Sequence, residues 1–385
     1  MASARIYLDH NATAPLRPEA RAAMTSALDL VGNASSVHGE GRRARATIET
    51  AREQVAALVG AKPSEVIFTS GATEANATVC AGGKWGSIAA SRIEHPSVLQ
   101  AMPSITMLSI AAGDNGVVAI DDELAGMLGD ADRLPAPMLA SVQFANGETG
   151  VVQDVARFVQ ICRRVRPDAF VHTDAVQAAG RVTLDFAALG VDAMTVSSHK
   201  LGGPQGVGAL IIRDGAVLSP LVRGGGQERG WRAGTENVAG IAGFGAASRA
   251  SQRDLADMPR LRLLRDRLEA GVLDRTPSAL VIGEHAGRLP NTSYIAVPGL
   301  SAETLVIALD LAGFAVSAGA ACSSGKVSTS HVLSAMGFAP DIAGCAIRVS
   351  TGWTTTQTDI DAFLAAFRQI TQSHLSAHRP ARKVA

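Results

Sequence analysis

Two short segments of the chain contain side chains whose types and spacing suit one kind of chemistry. One is the run Ser197-Ser198-His199-Lys200, which ends an apolar stretch and continues into glycines. The other contains Asp174, which lies further upstream at the end of its own apolar run. A lysine among hydroxyls and glycines is suited to form an imine with an aldehyde, and a nearby aspartate can hold a pyridine nitrogen protonated. Together they predict a pyridoxal phosphate site; the competing interpretations are a solvated lysine and a helix-capping aspartate.

A second group of residues is suited to hold the phosphate of such a cofactor. The segment 70–76 joins a predicted strand to a predicted helix through Gly71, so that backbone amides and the Thr73 hydroxyl lie at a helix start. Unpaired amide groups at a helix start bind phosphate, although many such turns are ordinary helix caps. Ser197 and His199, which precede the lysine, are predicted to donate two further hydrogen bonds.

Three more polar residues are predicted to lie around the cofactor. Gln177 is expected on the same helical face as Asp174, where it reaches the ring hydroxyl or has a purely structural role. His95 follows a predicted strand and is expected to stack on the cofactor and to move protons, while Asn146 ends another strand. Ligands of open parallel sheets bind at the carboxyl ends of the strands, which is where all of these residues are predicted to lie.

The order of predicted elements indicates an α/β fold. Helices alternate with short apolar strands, and this pattern favours a mostly parallel sheet that helices cover on both faces. The region around residue 250 differs, because 249–275 has the pattern of one long amphipathic helix. We therefore expect a large domain at 15–250, and a smaller α+β domain formed by 1–14 and 251–385. The expected helices include 47–60 and 155–165. The expected strands are 65–69, 87–93, 138–144, 169–173, 193–197, 209–212, 292–297 and 347–350.

Composition excludes several classes of protein. The chain has 385 residues, 47% of them hydrophobic and only 18% charged, which excludes a disordered or coiled-coil protein. Its formal net charge of zero gives no indication of binding to nucleic acid or to anionic membranes. Neither a membrane-spanning apolar segment nor a secretory signal is apparent, and the four cysteines form no CxxC pair. We expect a cytoplasmic protein, and no metal site is predicted.

Beyond these residues, longer blocks resemble the class I cysteine desulfurases, the iron–sulfur-cluster and nitrogen-fixation type within the pyridoxal-phosphate-dependent class-V aminotransferase superfamily. The blocks follow the family's order from 7–13 through 32–38 and 224–235 to 347–352. The resemblance implies the aspartate-aminotransferase-like fold type I and a homodimer. The chain departs from the family's usual residues at Thr13-Ala14 and at 319–324, where small residues replace other small residues.

The resemblance also implies roles for individual residues. Lys200 is expected to bind the cofactor covalently, and Arg348 to bind the substrate carboxylate with the help of Asn33 and Asn146. Thr235 is expected to contribute to the phosphate site across the dimer interface. The expected phosphate ligands are Ala72, Thr73, Ser197, His199 and Thr235.

One cysteine has surroundings unlike those of the others. Cys322 lies among small residues and glycines at 317–328, ahead of a predicted helix, whereas Cys80, Cys162 and Cys345 fit a structural role. In the family this loop cysteine accepts the sulfur of L-cysteine, leaving L-alanine, and passes it to an acceptor protein such as an iron–sulfur scaffold or a thiolation carrier. His95, the substrate thiol or a nearby helix start are the candidates for activating the thiol.

Related functions remain as alternatives. Selenocysteine lyases, cysteine lyases and some aminotransferases share the fold and the lysine–aspartate pair, although an aminotransferase has no need of a loop cysteine. A sulfur-relay scaffold that has lost turnover is the alternative that is not an enzyme.

Overall fold

The computed structural model describes residues 5–319 and 329–377. The strands are β1 Ile6–Tyr7, β2 Val66–Thr69, β3 Ser87–Ser91, β4 Thr106–Ile110, β5 Met138–Ser141, β6 Phe170–Asp174, β7 Ala193–Ser197, β8 Gly208–Ile212, β9 Leu280–Val281, β10 Thr292–Ala296, β11 Phe314–Ala315, β12 Ser317–Ala318 and β13 Ala346–Ser350. The α-helices are α1 Pro18–Leu28, α2 Gly39–Val59, α3 Ala72–Gly82, α4 Pro96–Leu99, α5 Asp122–Gly129, α6 Val155–Val165, α7 Phe186–Leu189, α8 Val238–Asp254, α9 Met258–Arg275, α10 Ala302–Leu311, α11 His331–Ala335, α12 Pro340–Ala343 and α13 Gln357–Ala377. Short 3₁₀ turns lie at Pro63–Glu65, Ser198–Lys200, Gln227–Gly230 and Leu255–Asp257.

The larger sheet confirms the predicted α/β fold. Its seven strands have the order β2-β8-β7-β6-β5-β3-β4. The pairs among β4, β3, β5, β6 and β7 are parallel, and β8 runs antiparallel to both of its neighbours. Successive side chains of a strand point to opposite faces. Accordingly, Phe68 and Ala140 pack into one apolar cluster, while Ile67 and Leu139 pack into another.

A second core lies around the remaining strands. β12, β13, β10 and β9 form an antiparallel sheet, and β1 pairs in parallel with β11. Leu8, Phe314 and Phe363 are buried in one apolar cluster there, together with residues of α9, α10 and α13. The start of the described chain therefore packs with its last third. The division into domains at residue 250 stays a prediction.

Two local predictions were wrong. The segment 249–275 is not one helix, because α8 ends at Asp254 and α9 begins after a 3₁₀ turn. Pro259 lies in the first turn of α9, where a backbone N–H has no partner within the helix and its absence costs nothing. In one uninterrupted helix the same position would need that N–H as a hydrogen-bond donor. Gln177 is not on a helix either, since residues 176–180 form hydrogen-bonded turns.

Candidate functional site

Asp174 ends β6, and Lys200 lies just after the end of β7, which is the neighbouring strand of the sheet. Asp174 is buried, and its carboxylate has two donors: the side-chain Nδ2 of Asn76 on α3 at 2.8 Å and the backbone amide of Val176 at 3.0 Å. Because each carboxylate oxygen accepts from one of these donors, the orientation of the Asp174 side chain is fixed.

Lys200 follows β7 in a 3₁₀ turn, and its amine is directed by the N-terminal segment. Nζ donates to the backbone oxygens of Asn11 at 2.5 Å and Ala12 at 2.7 Å. The lysine is only partly buried, so the amine is held without being enclosed. This arrangement suits an amine that must react with a ligand.

Gln177 lies close to the lysine, although not by way of a helix. Its Nε2 donates to the backbone oxygen of Asn11 at 3.1 Å, the oxygen that also accepts from Lys200. Its Oε1 accepts from the buried Arg181. The glutamine is therefore held by structural contacts, and a contact with the cofactor's ring hydroxyl stays a prediction.

His95 begins the short helix α4 and faces the same edge of the sheet. Its Nδ1 lies 2.7 Å from the Ser97 hydroxyl and accepts from the Ser97 backbone amide at 3.1 Å. Desolvation lowers the pKa of His95. The charges of Lys200 and His331 lower this pKa further, whereas the charge of Asp174 raises it. A neutral imidazole beside a carboxylate and an amine is suited to accept and return protons.

The start of α3 packs closely against β8, the strand that pairs with β7 ahead of Lys200. No side chain caps this helix, because its N-cap is Gly71, and Thr73 is exposed in its first turn. Gly208 of β8 pairs with Thr69 on one side and with Ser197 on the other. A Cβ at Gly208 would come within 2.7 Å of the Gly71 backbone, so glycine is required for this close approach.

The histidine of the lysine turn is neutral. Burial lowers the pKa of His199 to about 4, with Lys200 and Arg181 contributing, and its Nδ1 lies 3.2 Å from the Thr13 hydroxyl. A neutral imidazole can donate one hydrogen bond to a phosphate without adding charge. The helix start, Ser197 and His199 are thus suited to hold a phosphate group.

Arg348 lies on β13 and is almost entirely buried. Its Nη2 contacts Oδ1 of Asp9 at 2.9 Å, and its Nη1 donates to the backbone oxygen of Gly147 at 3.0 Å. Its Nε is buried without a hydrogen-bond partner among the described residues. In this structure the guanidinium is paired with Asp9, and its binding of a substrate carboxylate stays a prediction.

The two predicted helpers of Arg348 have other contacts. Asn146 is buried, its Oδ1 accepts from the backbone amides of Glu148 and Thr149 at 2.9 Å, and its Nδ2 donates to the Ile93 oxygen. It shapes the turn whose Gly147 oxygen contacts Arg348. Asn33 is exposed, and its Oδ1 accepts from the Ser35 amide, so the described contacts do not join it to Arg348.

Two predicted residues need other comment. Thr235 is exposed in the loop that follows the 3₁₀ turn Gln227–Gly230, and its role across a dimer interface stays a prediction. Cys322 lies outside the described residues. Cys80, Cys162 and Cys345 are buried, and burial raises the pKa of Cys80 and Cys162 to about 12, which makes these two poor nucleophiles.

Sequence reasoning missed several residues that hold the site together. Asn11 presents the backbone oxygen beneath Lys200, and Asn76 holds Asp174. Glu94 and Glu148 are buried carboxyls directly beside residues that had been singled out, namely His95 and Asn146. The sequence signal that could have identified Glu94 and Glu148 is an acidic residue near the end of an apolar strand.

Two other kinds of site find no support in the described part of the chain. Residues 5–319 and 329–377 contain no group of three or more histidine, cysteine or acidic side chains that could hold a metal ion. None of the helices within these ranges has both the length and the apolar composition needed to cross a membrane.

The chain is similar to several known proteins. Residues 6–363 match the family model described as aminotransferase class-V. A cysteine desulfurase of Cereibacter sphaeroides is 42% identical over 373 residues, which cover 94% of either chain. The solved structure of a NifS-like protein from Rickettsia africae superposes with a TM-score of 0.88 at 36% identity, covering 96% of this chain and 99% of that one. SspA, solved in complex with cysteine, gives a TM-score of 0.74 at 26% identity over 90% of this chain and 98% of SspA.

Proposed function

This chain belongs to the class-V aminotransferase family, and from that membership we propose that it is a pyridoxal-phosphate-dependent cysteine desulfurase that converts L-cysteine to L-alanine. The observation that carries the proposal is the pair of neighbouring strand ends that present the fixed carboxylate of Asp174 and the amine of Lys200. The substrate is inferred from relatives named cysteine desulfurase and from the cysteine bound to SspA.

The described residues fit the proposed cofactor. Asp174 would pair with the ring nitrogen, Lys200 would hold the aldehyde carbon, and the start of α3 with Ser197 and His199 would hold the phosphate. When bound, pyridoxal phosphate withdraws electrons from the substrate's α-carbon, which makes the α-proton acidic and weakens the carbon–sulfur bond.

The chain's own groups would then divide the remaining work. Arg348 binds the substrate carboxylate and so orients the α-carbon, while Lys200 Nζ, once released, takes the α-proton. His95 moves protons near the substrate sulfur. The thiolate of Cys322 attacks that sulfur: the new sulfur–sulfur bond forms as the carbon–sulfur bond breaks, and the carbon fragment takes up protons and leaves as alanine.

The reaction therefore leaves a persulfide on the enzyme, and an acceptor must remove it. Cysteine and one enzyme thiol give alanine and one enzyme persulfide, so no outside oxidant is needed. A thiol or a sulfur-accepting protein, such as an iron–sulfur scaffold or a thiolation carrier, then receives the sulfur. A free cysteine is only a few per cent thiolate at neutral pH, so the site must activate Cys322.

One assay tests the proposal directly. Purified protein loaded with pyridoxal phosphate is incubated with L-cysteine and a thiol reductant, and alanine and sulfide are measured together. We expect equal amounts of the two products. Alanine without sulfide, or neither product, would contradict a desulfurase, and faster alanine formation from selenocysteine would favour the lyase alternative.

Two variants assign the chemistry to residues. Lys200→Ala should lose the visible absorbance of the covalently bound cofactor, whereas the exposed Lys62→Ala should retain it. Cys322→Ser should still change its absorbance on mixing with L-cysteine but should form no sulfide. Normal sulfide release by Cys322→Ser would remove Cys322 from the mechanism.

A further inference from the structure

Two side chains, Asn76 and Ser97, link Asp174 to His95 through hydrogen bonds. Asn76 lies on α3 and is completely buried, whereas Ser97 is half-buried in the first turn of α4. Asn76 Nδ2 contacts Asp174 Oδ2 at 2.8 Å and Ser97 Oγ at 2.9 Å. Ser97 Oγ in turn lies 2.7 Å from His95 Nδ1. The carboxylate at the end of β6 is thus connected to the imidazole that begins α4.

The Asp174 end of this chain fixes the orientation of the Asn76 amide. A carboxylate can only accept hydrogen bonds, so the amide must direct its nitrogen at Asp174, because its oxygen would be a second acceptor. The same nitrogen carries another hydrogen atom, which it donates to Ser97 Oγ. Asp174 therefore decides, through Asn76, that the Ser97 hydroxyl accepts from the interior of the protein.

The backbone of Ser97 fixes the other end of the chain. Its amide N–H donates to His95 Nδ1 at 3.1 Å, so Nδ1 has a lone pair and no hydrogen atom. A neutral imidazole carries one hydrogen atom, which must then be on Nε2. Because Nδ1 can only accept, the Ser97 hydroxyl at 2.7 Å is the donor in that contact. Two donors of one residue thus point at the same ring nitrogen.

This arrangement opposes any hydrogen atom on Nδ1. A change of tautomer and a gain of a proton would both place one there, opposite the Ser97 N–H, which belongs to the backbone and cannot turn around. Desolvation acts in the same direction, because it lowers the pKa of His95. The neutral ring is therefore a hydrogen-bond donor at Nε2. It can accept a proton at Nε2 only after its own proton has moved to Nδ1.

We propose that Asn76 and Ser97 are positioning residues that fix His95 in the tautomer with its proton on Nε2, so that this histidine donates from Nε2 before it accepts there. The proposal deepens the proposed desulfurase function and rests on it for the reaction in which His95 acts. The alternative is that Ser97 only stabilises the first turn of α4. In that case loss of its hydroxyl lowers stability but leaves the titration of His95 unchanged.

Three other groups act on His95 from neighbouring elements. The charges of Lys200 and His331 lower the pKa of His95, and the charge of Asp174 raises it. Ser97→Ala leaves all three groups in place and removes a single oxygen atom. A changed titration of His95 in this variant therefore reports the lost hydrogen bond at Nδ1.

Nitrogen NMR of the holoenzyme measures the tautomer directly. Protein with ¹⁵N-labelled histidine rings is titrated, and the signals of His95 are those that are missing from His95→Gln. We expect Nδ1 of the wild type to carry no hydrogen atom and Nε2 to carry one. In Ser97→Ala, the loss of one donor to Nδ1 should raise the titration midpoint of His95 by about one pH unit, a change of about tenfold in the equilibrium.

Matched variants separate this role from packing. Ser97→Thr keeps the hydroxyl and should keep the wild-type midpoint of His95. Asn76→Ala frees the Ser97 hydroxyl to rotate, so it should raise the midpoint by less than Ser97→Ala does. It should also change the cofactor absorbance, because Asp174 loses a donor. The exposed Ser26→Ala should change none of these properties.

Kinetics tests whether the tautomer matters to the reaction. Ser97→Ala is expected to lower kcat for alanine formation by about tenfold, because less of His95 is in the donating form. KM for L-cysteine should change less than about threefold, and the cofactor absorbance should stay that of the wild type. The limb of the pH profile of kcat that His95 controls should move upward together with the NMR midpoint.

Three outcomes would overturn the proposal. They are a hydrogen atom on Nδ1 in the wild type, an unchanged His95 midpoint in Ser97→Ala, and a lowered kcat in Ser97→Ala without a shift of that midpoint. The wild-type spectrum needs no substitution, so it decides the tautomer even if a variant does not fold. A protein that shows the expected tautomer but makes no alanine would contradict the desulfurase and leave the assignment of His95 intact.

Discussion

Single carboxyl groups near the site differ sharply in their surroundings. Asp174 has a donor on each oxygen. Glu94 is fully buried, and while the Ser91 hydroxyl and the Gln143 amide both donate to Oε1, its Oε2 has no partner among the described residues. Burial raises the pKa of Glu94 to about 8, and Asp174 adds to the effect. Burial and the nearby Asp174 therefore both favour the neutral form of the Glu94 carboxyl group.

The buried Glu94 makes a prediction about stability and pH. The unfolded chain loses this proton near the ordinary pKa of 4.5, whereas the folded chain keeps it up to about 8. The folded state thus binds more protons in this window, so stability falls as pH rises from about 5 to 8. Glu94→Gln cannot titrate and should escape a loss on the order of 3 to 5 kcal/mol.

Urea unfolding of both proteins between pH 5 and pH 9 checks this prediction. The stability of Glu94→Gln relative to the wild type should increase with pH across the window. A constant difference between the two proteins at all pH values would show that Glu94 is already ionised in the folded state.

At the scale of elements, one buried ion pair holds the loop that leads to Thr235. Arg52 of α2 and Glu228 are each almost completely buried, and the guanidinium contacts both carboxylate oxygens at 2.7 and 2.8 Å. Glu228 also accepts from the Phe68 amide of β2 at 2.8 Å. Glu228 and Arg229 have φ angles of 45° and 57°, which non-glycine residues rarely adopt. Glu228 therefore connects this loop to both α2 and β2.

Removing one member of the pair should therefore be costly. Arg52→Met leaves the Glu228 carboxylate buried without its cation, and we expect a loss of about 3 to 5 kcal/mol in the free energy of unfolding. Arg43→Met on the same helix removes only an exposed ion pair with Glu40 and should change the free energy of unfolding far less. Urea unfolding measures both, and similar small losses would show that Glu228 is held in another way.

At the scale of the whole molecule, the N-terminal segment connects the two cores. Leu8 is buried in the core around β10 and β13, whereas Lys200, at the edge of the larger sheet, donates to the backbone oxygens of Asn11 and Ala12. Asn11 also donates to Thr292 and to the Gly147 oxygen. The proposed phosphate ligand Thr235 lies exposed on the surface instead. We therefore propose that a second copy of the chain completes the site.

Complementation between two inactive variants tests this proposal. Lys200→Ala lacks the amine, and Thr235→Asp places a negative charge where a phosphate is expected. If Thr235 acts on the partner's site, co-expressed subunits form mixed dimers in which one site is intact, and activity returns to about a quarter of the wild type. Light scattering should give about twice the chain mass of 39.6 kDa.

A matched control places both substitutions on one chain. Mixed dimers of this double variant with the wild type have no intact site, so activity should fall as the double variant is added. No recovery from the two single variants, despite dimers of the expected mass, would show that Thr235 acts within its own subunit or does not act at all.

The sequence predicted those parts of the fold that depend on local patterns. The strand at 193–197 and the helix at 155–165 have the predicted bounds, and α2 ends at Val59, directly before the predicted stop at Gly60, which has a φ of 65°. The spacing of apolar residues and the glycines that end helices act within one segment of chain. They therefore predict that segment's structure without knowledge of the rest of the fold. The prediction of one helix at 249–275 was wrong because the apolar spacing continues across Pro259, whereas a 3₁₀ turn interrupts the α-helix just before it.

The sequence by itself determined which side chains end the parallel strands, and hence that Lys200, Asp174, His95 and Asn146 share one edge of the sheet. Only the tertiary structure decided what surrounds them. Three contacts join residues that are far apart in the chain. The Asn11 oxygen accepts from Lys200, and the Glu228 carboxylate accepts from Arg52. The Glu148 carboxyl group contacts both Gly319 and Ser330. Buried polar groups must find partners wherever the folded chain brings them, and no local pattern records those distant meetings.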